Sequence, residues 1–381
     1  NLKYKEISNK IEAARFARVL RSRNNAKARR KRESGEPSVH RQHPIVSPFH
    51  NPNPKDNERI GYEEVLLPEV IDLEDNYDAT VDVIRLIRRL SLSEKKPIYL
   101  VFDHVKSIKP AALLLLLAEM HRCRLVRGTH KVTGNYPASP KVERMLHATG
   151  FFRILGVKSR VTRKPRSYPM EYVNFVSQTH EVKGTVREFR EALLGTAITM
   201  SVKIRGRFYR AITEAMLNVS HHAYPQGTPG RRYEPDRWWL AGHVNKKTKQ
   251  LIVMFCDLGV GIPATLPKMY PLERIRSALS LLPGIPPNDA QMIKAGMVIG
   301  RTRTSEENRG RGLNDLRSFV DQAGEGELNI YSRRGHYCYK PNDDDSVKNH
   351  KAPIGGTLIT WTVPLDIITN WIDEDFEEDD C

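Results

Sequence analysis

The residues best suited to chemistry lie in the segment RAITEAMLNVSHHAYP, residues 210–225. Glu214 and Asn218 are spaced i, i+4 and share one face of the helix that the apolar pattern predicts. Their carboxylate and amide oxygens are ligands that suit Mg²⁺. His221 and His222 do not form a zinc motif, because such a helix needs histidines four residues apart, and adjacent helical residues point about 100° from each other. The segment therefore favours a magnesium site over a zinc metalloenzyme.

A carboxylate and two glycines lie close together further along the chain. The apolar run LIVMFCD ends at Asp257 and continues as DLGVGIP, so Gly259 and Gly261 stand at alternate positions after the acid. Glycines allow positive φ and close approach of the backbone, which indicates a tight turn beside something bound. Taken alone, the pattern is also compatible with an ordinary turn.

Two later segments carry glycine pairs. In NRGRGLNDLRSFV, Gly310 and Gly312 precede a predicted helix that begins at Leu313. The free N–H groups of a helix N-terminus suit an anion such as phosphate. In GGTLITW, residues 355–361, two glycines stand before Thr357 at the start of a predicted strand. Each pair by itself is also compatible with an ordinary loop.

The order of these motifs, E-x-x-x-N, D-x-G-x-G, G-x-G-L and G-G-T, resembles the GHKL (Bergerat-fold) superfamily of ATP-binding domains. Histidine kinases, Hsp90-type chaperones, type II topoisomerases and MutL-type repair proteins share this domain. Within the superfamily, NVSHHAYP is most similar to the anti-sigma factor serine kinases, whose helix carries a similar asparagine followed by a His-Ala-Tyr ending. The resemblance covers residues 180–365. It implies a two-layer α/β sandwich with a mixed sheet and with ATP held between helices and sheet.

The resemblance implies a role for each residue that matches a motif. Asn218 would be the Mg²⁺ ligand, and Glu214 would be the general base that orients the attacking group. Asp257 would accept the adenine amino hydrogen, in a pocket that Gly259 and Gly261 shape. These roles agree with phosphoryl transfer, which needs a metal, a positioning base and donors at the phosphates.

The phosphate and adenine contacts complete the implied site. Gly310, Gly312 and the amide of Leu313 would hold phosphates, Thr357 would lie near the adenine end, and His222 would pack beside the nucleotide. The segment from Pro263 onward, which ends GRTRTSEENRGRG, is expected to form a lid over the nucleotide. Its arginines are either charge-stabilising groups at the γ-phosphate or solvated side chains: Arg301, Arg303, Arg309 and Arg311.

The region before this domain predicts a smaller α/β unit. We expect an amphipathic helix at 78–91, a buried strand at 97–105, and helices at 109–124 and 139–156, with Gly150 ending the last of them. The segment 97–156 resembles a STAS domain, the fold of anti-sigma factor antagonists.

STAS regulators that are phosphorylated carry a serine at the turn into the helix, where Pro110 and Ala111 stand here. The resemblance therefore implies a docking or sensing module that is not a kinase substrate. A generic α/β unit that braces the ATP-binding domain is the alternative.

These patterns predict an α/β (α+β) protein and divide its chain into several parts. The predicted parts are a basic helical arm and Pro-rich linker at 1–60, a STAS-like domain at 61–165, a GHKL domain at 166–368, and an acidic tail at 369–381.

Charge and cysteine content bear on partners and compartment. The 381 residues carry a net charge of +16, and residues 1–60 hold 15 Lys/Arg against 6 Asp/Glu. This favours partners that carry phosphate or carboxylate. The basic arm could bind nucleic acid, but a solvated tail is the favoured reading of it, because it has no interleaved aromatic pattern. Four scattered cysteines fit a reducing compartment, and the apolar run at 111–118 is too short to span a membrane. We expect a cytoplasmic protein, with a homodimer suggested by analogy.

Together these observations predict a Mg²⁺-dependent ATP-binding protein. In one reading it is an enzyme, an ATPase or a serine/threonine-type kinase that transfers the γ-phosphate to a protein partner. In a second reading it is an ATP-gated interaction switch with little turnover, and in a third it is a nucleic-acid-associated ATPase that uses the basic arm.

Overall fold

A computed structural model describes ten stretches of the chain. They are residues 49–50, 61–128, 131–155, 157–161, 170–179, 185–194, 200–225, 236–282, 284–302 and 313–365. All of them belong to one compact unit, Val46–Cys381. The predicted basic helix at 1–34 and the acidic tail lie outside the described residues.

The described residues form strands and helices in alternation. The strands are β1 (Phe49–His50), β2 (Glu63–Leu66), β3 (Val70–Ile71), β4 (Ile98–Val101), β5 (Ser107–Ile108), β6 (Val132–Asn135), β7 (Met170–Gln178), β8 (Trp238–Asn245), β9 (Gln250–Asp257), β10 (Glu327–Ser332), β11 (Gly335–Tyr339), β12 (Ser346–Asn349) and β13 (Thr357–Pro364). The helices are α1 (Tyr77–Arg88), α2 (Pro110–Arg127), α3 (Pro140–Ala148), α4 (Phe151–Ile154), α5 (Thr185–Leu194), α6 (Val202–Asn218), α7 (Ile262–Met269), α8 (Leu272–Ala278), α9 (Asp289–Thr302) and α10 (Asn314–Ala323). Two helices continue into a π-helical turn, α1 into Arg89–Ser93 and α6 into Val219–Ala223.

The first part of the unit contains a small parallel sheet. Its strand order is β1-β6-β4-β2, and each neighbouring pair is parallel. The strand predicted at 97–105 is present as Ile98–Val101, with all four residues buried. The helix predicted at 139–156 does stop at Gly150, which adopts a φ of +79° before the short helix α4 begins. Glycine takes this left-handed conformation without the penalty of a Cβ atom.

The first half of helix α2, residues 110–118, is apolar on every face because it is covered on both sides. It begins at Pro110, where a missing N–H costs nothing, and Leu113–Leu117 are all fully buried. The helix packs against β6 of the first sheet and against β8, β9 and β13 of a second sheet. Among the described residues, no helix combines the length and apolarity that crossing a bilayer requires.

The second sheet has seven strands in the order β12-β11-β10-β13-β9-β8-β7. Every neighbouring pair is antiparallel. The prediction of a mixed sheet is therefore wrong for the described strands. The physical reason is connectivity: β8–β9 and β10–β11 are tight hairpins, and β13 returns between β10 and β9 in the opposite direction to both, whereas parallel pairs need long crossovers.

Alternate residues of the central strands enter two different cores. In β9, Leu251, Val253 and Phe255 belong to the core under α6 and α10. Met254 and Cys256 belong to the core that includes α2. A helical layer thus covers one face of the sheet, and α2 adds a further layer on the other face.

Two features near the C-terminal end complete one side of the seven-stranded sheet. The segment GELNIYSRRGHYCYK forms a hairpin, β10 and β11, because Arg333 adopts a φ of +53° and allows a tight turn. Strand β12 was not predicted, since its four residues are all exposed and carry no alternating pattern.

The segment expected to be a lid is largely packed. Helices α7, α8 and α9 occupy most of it, and Ile293 and Met297 of α9 enter the core shared with α6 and α10. Apolar residues at helical spacing fix α9 to the body of the unit, so this part of the segment is regular packed helix. Residues 303–312 lie outside the described ranges.

Candidate functional site

A cleft opens at the end of the seven-stranded sheet where β9 ends and β13 begins. The space within it is about 580 Å³, which includes space open to solvent. Its walls come from α6, α7, β9 and β13. The lining residues are Ala215, Asn218, His222, Ala223, Phe255, Asp257, Gly261, Ile262, Thr265, Leu266, Met269, Leu313, Thr357 and Ile359.

Asp257 lies at the inner end of the cleft. It is the last residue of β9, pairs in register with Thr357 of β13, and is only 6% exposed. One carboxylate oxygen accepts a hydrogen bond of 2.7 Å from the backbone N–H of Gly259. The turn after the strand thereby holds the carboxylate in place. Asp257 and Thr357, which the resemblance assigns to the same end of the site, thus lie beside each other.

The glycines of this site are places where other backbone approaches too closely for a side chain. A Cβ atom at Gly259 would overlap with the backbone of Ala223. A Cβ atom at Gly356, whose φ is +96°, would overlap with the carbonyl oxygen of Asp257. At Gly261, with a φ of +85°, it would lie 2.8 Å from the Ser332 hydroxyl oxygen. The glycines therefore let three chain segments meet around the acid.

The end of α6 joins the turn after Asp257. The carbonyl oxygen of Ala223 accepts a hydrogen bond of 2.9 Å from the N–H of Val260. The hydroxyl of Tyr224 donates to the carbonyl oxygen of Arg237 at 2.6 Å and accepts from the N–H of Leu258 at 3.0 Å. The bridging role of Tyr224 was not predicted, although the tyrosine belongs to the motif that suggested the resemblance.

The π-helical turn determines how the two histidines point. His222 is partly buried and lines the cleft, while His221 is exposed, and their rings are 5.8 Å apart at an angle of 72°. Burial, together with the neighbouring His221, lowers the pKa of His222 and keeps its ring neutral near pH 7. A π turn inserts one residue into a helix and is frequent at functional sites.

Asn218 lines the cleft, and Glu214 does not. Glu214 lies one turn earlier on α6, towards the first residues of α10. Burial raises the pKa of its carboxyl, Asp315 of α10 raises it further, and the amide of Asn218 partly offsets both effects. The raised pKa is in the direction that improves a carboxylate as a general base near neutral pH.

Ser332 connects three parts of the cleft wall. Its hydroxyl accepts from the N–H of Ile262 at 2.9 Å, donates to the carbonyl oxygen of Gly356 at 3.1 Å and lies 3.0 Å from the Thr357 hydroxyl. Sequence reasoning missed this residue, because a serine at a strand end gives no signal until its pairing with β13 is known.

The residues implied to hold phosphate are only partly described. Leu313 lines the cleft and packs against α9, where a Cβ at Gly296 would lie 2.8 Å from its side chain. Arg301 belongs to the last turn of α9. The remaining predicted phosphate contacts lie outside the described residues: Arg303, Arg309, Gly310, Arg311 and Gly312.

The residues that line the cleft include apolar side chains, one carboxylate and one amide, which are the groups that ATP and Mg²⁺ would need. Phe255, Leu266 and Ile359 provide apolar walls for a planar ring beside the Asp257 carboxylate. The side-chain nitrogen of Asn218 is buried and makes no hydrogen bond of normal geometry with any residue that the structure describes. Within that same part of the chain, no three His, Cys, Asp or Glu side chains cluster as a metal site. Mg²⁺ held mainly by phosphate oxygens needs only one or two protein ligands, so the residues present fit it.

Comparison of the chain with protein-family models and with curated proteins found no significant match.

Proposed function

We propose that this protein binds Mg²⁺–ATP in the cleft and hydrolyses it or transfers its γ-phosphate to a protein partner. The observation that carries the proposal is the environment of the Asp257 carboxylate. A buried carboxylate at the end of a strand, held by the N–H of Gly259, lies between apolar walls where three segments meet at glycines. A planar base with an exocyclic amino group suits such a site, because the carboxylate accepts its hydrogen while the walls cover its faces.

In this proposal, the residues at one end of the cleft bind the base and those at the other end bind the metal and phosphates. Asp257 and Thr357 bind the base, and Phe255 and Ile359 exclude water from its faces. Asn218, on the helix opposite, offers its side-chain oxygen to Mg²⁺. When bound, the metal ion neutralises charge on the phosphate oxygens.

Glu214 has the properties of a base that acts on the attacking group. It lies one helical turn from Asn218, and its raised pKa suits removal of a proton from water or a hydroxyl near neutral pH. The enzyme reading gives this carboxylate a role, whereas a pure interaction switch needs none.

Nucleotide binding is tested first, by calorimetry with Mg²⁺–ATP on the wild type and on Asp257→Asn. The amide nitrogen can no longer accept the base's hydrogen, so we expect binding to fall by at least about 100-fold, as loss of a buried charged hydrogen bond predicts. Asp344→Asn makes the same chemical change at an exposed loop position and should bind as the wild type does. Unchanged affinity in Asp257→Asn would refute this binding mode.

Turnover is tested next, by phosphate release from Mg²⁺–ATP. Glu214→Gln should keep binding and lose release by about 100-fold or more, the usual range for a general base. Glu188→Gln, at an exposed position of α5, is the matched control. Equal release in wild type and Glu214→Gln would exclude the base. Binding without release in both proteins would favour a kinase that awaits its substrate or an ATP-gated switch.

A further inference from the structure

One face of α1 contacts the segment that leads into the cleft, His350–Gly356. Tyr77 and Arg88 are eleven residues apart, about three helical turns, and so lie on the same face. The Tyr77 ring stacks on His350 with centroids 3.5 Å apart, and its hydroxyl donates to the carbonyl oxygen of Ala352 at 2.9 Å. This contact joins the first part of the unit to the strand that carries Thr357.

Arg88 contacts the same segment at its other end. Its guanidinium donates to the carbonyl oxygen of Ile354 at 3.0 Å. Gly355 has a φ of +78°, and a Cβ atom there would overlap with the same guanidinium. The turn before β13 is therefore shaped directly on Arg88.

Arg88 is itself held by a buried carboxylate of α2. Its Nε and Nη2 atoms donate to Oε2 of Glu119 at 3.1 and 2.7 Å, and Arg122 binds the other oxygen. Glu119 is fully buried. Burial alone would raise the pKa of Glu119, but Arg122 and Arg88 hold it well below its usual range. The carboxylate is thus charged and gives Arg88 a fixed orientation.

The contacts continue from this turn to the residues of the cleft. The carbonyl oxygen of Gly356 accepts from the hydroxyl of Ser332, which also accepts from the N–H of Ile262 and lies beside the Thr357 hydroxyl. Ile262 and Thr357 both line the cleft. An unbroken series of contacts therefore runs from Glu119 to the wall of the candidate nucleotide site.

We propose that Arg88 and Tyr77 are positioning residues for this site. Arg88, oriented by Glu119, and Tyr77 hold the segment His350–Gly356 in the conformation that sets Thr357 and the start of α7. Nucleotide affinity accordingly depends on a helix that lies outside the ATP-binding region of the chain. The affinity part rests on the proposed function, whereas the conformational part does not.

The test compares Arg88→Lys and Tyr77→Phe with Arg85→Lys. Lysine keeps a cation beside Glu119. Its ammonium group lacks the planar fork with which the guanidinium donates to both the Glu119 carboxylate and the carbonyl oxygen of Ile354. Tyr77→Phe keeps the ring and removes only the bond to Ala352. Arg85 is exposed on the same helix and pairs with Asp82, so its replacement is the matched control.

Amide hydrogen exchange without ligand is measured first, at the N–H groups of Arg333, Ile354 and Ile262. These groups bond to Gly356, to Arg333 and to Ser332, respectively. We expect exchange there to accelerate by about tenfold in Arg88→Lys and Tyr77→Phe, with no change in Arg85→Lys or in the β8–β9 ladder. Affinity for Mg²⁺–ATP should fall by about tenfold in the same two variants.

The possible outcomes separate the two proposals. Unchanged exchange at these three amides, or equal acceleration throughout β8 and β9, would overturn the positioning role. Local acceleration with unaltered ATP affinity would also overturn it. A wild type that does not bind ATP, together with local acceleration in both variants, would refute the proposed function and support the positioning of the segment.

Discussion

At the scale of single residues, the candidate site depends on glycines, at positions where a side chain would not fit. Gly356 and Gly259 let the backbone of three segments close around Asp257, and a methyl group at either position would occupy backbone space. The carboxylate is only 6% exposed, and the N–H of Gly259 in its own turn donates to one of its oxygens. Glycine is required at these two positions because neighbouring backbone atoms leave no room for a Cβ atom.

Gly356→Ala should abolish nucleotide binding, with a loss of at least about 100-fold, because its Cβ would overlap with the carbonyl oxygen of Asp257. Gly324→Ala is the control, since Gly324 also has a positive φ, +74°, but nothing lies within 4 Å of its Cβ. The control should cost about 1 kcal/mol of stability and leave affinity unaltered. Calorimetry and thermal unfolding of both variants measure this, and normal affinity in Gly356→Ala would contradict the close packing.

Glu214→Gln should stabilise the protein increasingly as the pH rises. Burial and Asp315 raise the pKa of Glu214 in the folded state, so the native state holds this proton more tightly than the unfolded chain does. The wild type has the full benefit below the usual value of 4.5 and loses it as the pH rises through the raised folded pKa. Glutamine remains neutral throughout that range.

Thermal unfolding from pH 4 upward measures the difference in Tm between the two proteins. It should be small at the acid end and should widen in favour of the variant towards neutral pH. Glu188→Gln, at an exposed site, should show no such trend. A constant difference across the range would mean that Glu214 does not titrate as described.

At the scale of elements, the end of α6 determines the shape of the cleft. Its π-helical turn aims His222 into the cleft and places Ala223 and Tyr224 against the turn that follows Asp257. A regular α-helix would rotate these residues away, since one inserted residue changes their direction by about 100°. The irregular end of the helix thus connects it to the strand end.

Tyr224→Phe should weaken both stability and nucleotide affinity. Without the hydroxyl, the N–H of Leu258 and the carbonyl oxygen of Arg237 both lose a hydrogen bond. The cost is about 1–3 kcal/mol for a buried group left without its partner, and we expect affinity to fall about tenfold. Urea unfolding and calorimetry measure the two effects. Tyr209→Phe, at an exposed position of α6, should change neither, and a neutral Tyr224→Phe would show that the bridge does not support the turn.

At the scale of the whole molecule, the first part of the unit and the seven-stranded sheet share one core. Trp239, Met254 and Leu358 of the sheet belong to the same apolar cluster as the leucines of α2. Burial of apolar area is the main favourable contribution to folding, so separation of the two parts would expose this face to water. The described residues on either side of the predicted boundary, between residues 165 and 166, belong to one compact unit.

A fragment of residues 166–381 should therefore fail to behave as an independent domain. We expect it to bind a hydrophobic dye strongly and to aggregate, because the sheet face that α2 covers becomes a large exposed apolar patch. The complete chain should unfold in a single transition for the described body. Dye fluorescence, light scattering and calorimetry test this, and a soluble fragment with normal ATP affinity would show that α2 is dispensable.

Much of the local structure could be predicted from the sequence. The amphipathic pattern at 78–91, the buried strand predicted at 97–105 and the stop at Gly150 each depend on a few neighbouring residues. The structure shows all three, the strand only as Ile98–Val101. Three residues that the motifs singled out, Asn218, Asp257 and Thr357, line one cleft. Such features depend on backbone preferences and side-chain periodicity, which act over short distances along the chain.

Local sequence patterns were enough to predict several elements, such as the helices at 78–91 and 109–124, and to single out the carboxylate, amide and glycine motifs. The tertiary structure alone decided the antiparallel order of the seven strands, the cover that α2 gives to the sheet, and the contact of Arg88 with Ile354, which lies 266 residues away. An apolar pattern predicts only that a helix or strand will be buried, and many packing partners could bury it. The choice among them depends on how the whole set of surfaces packs together, which is a property of the folded molecule.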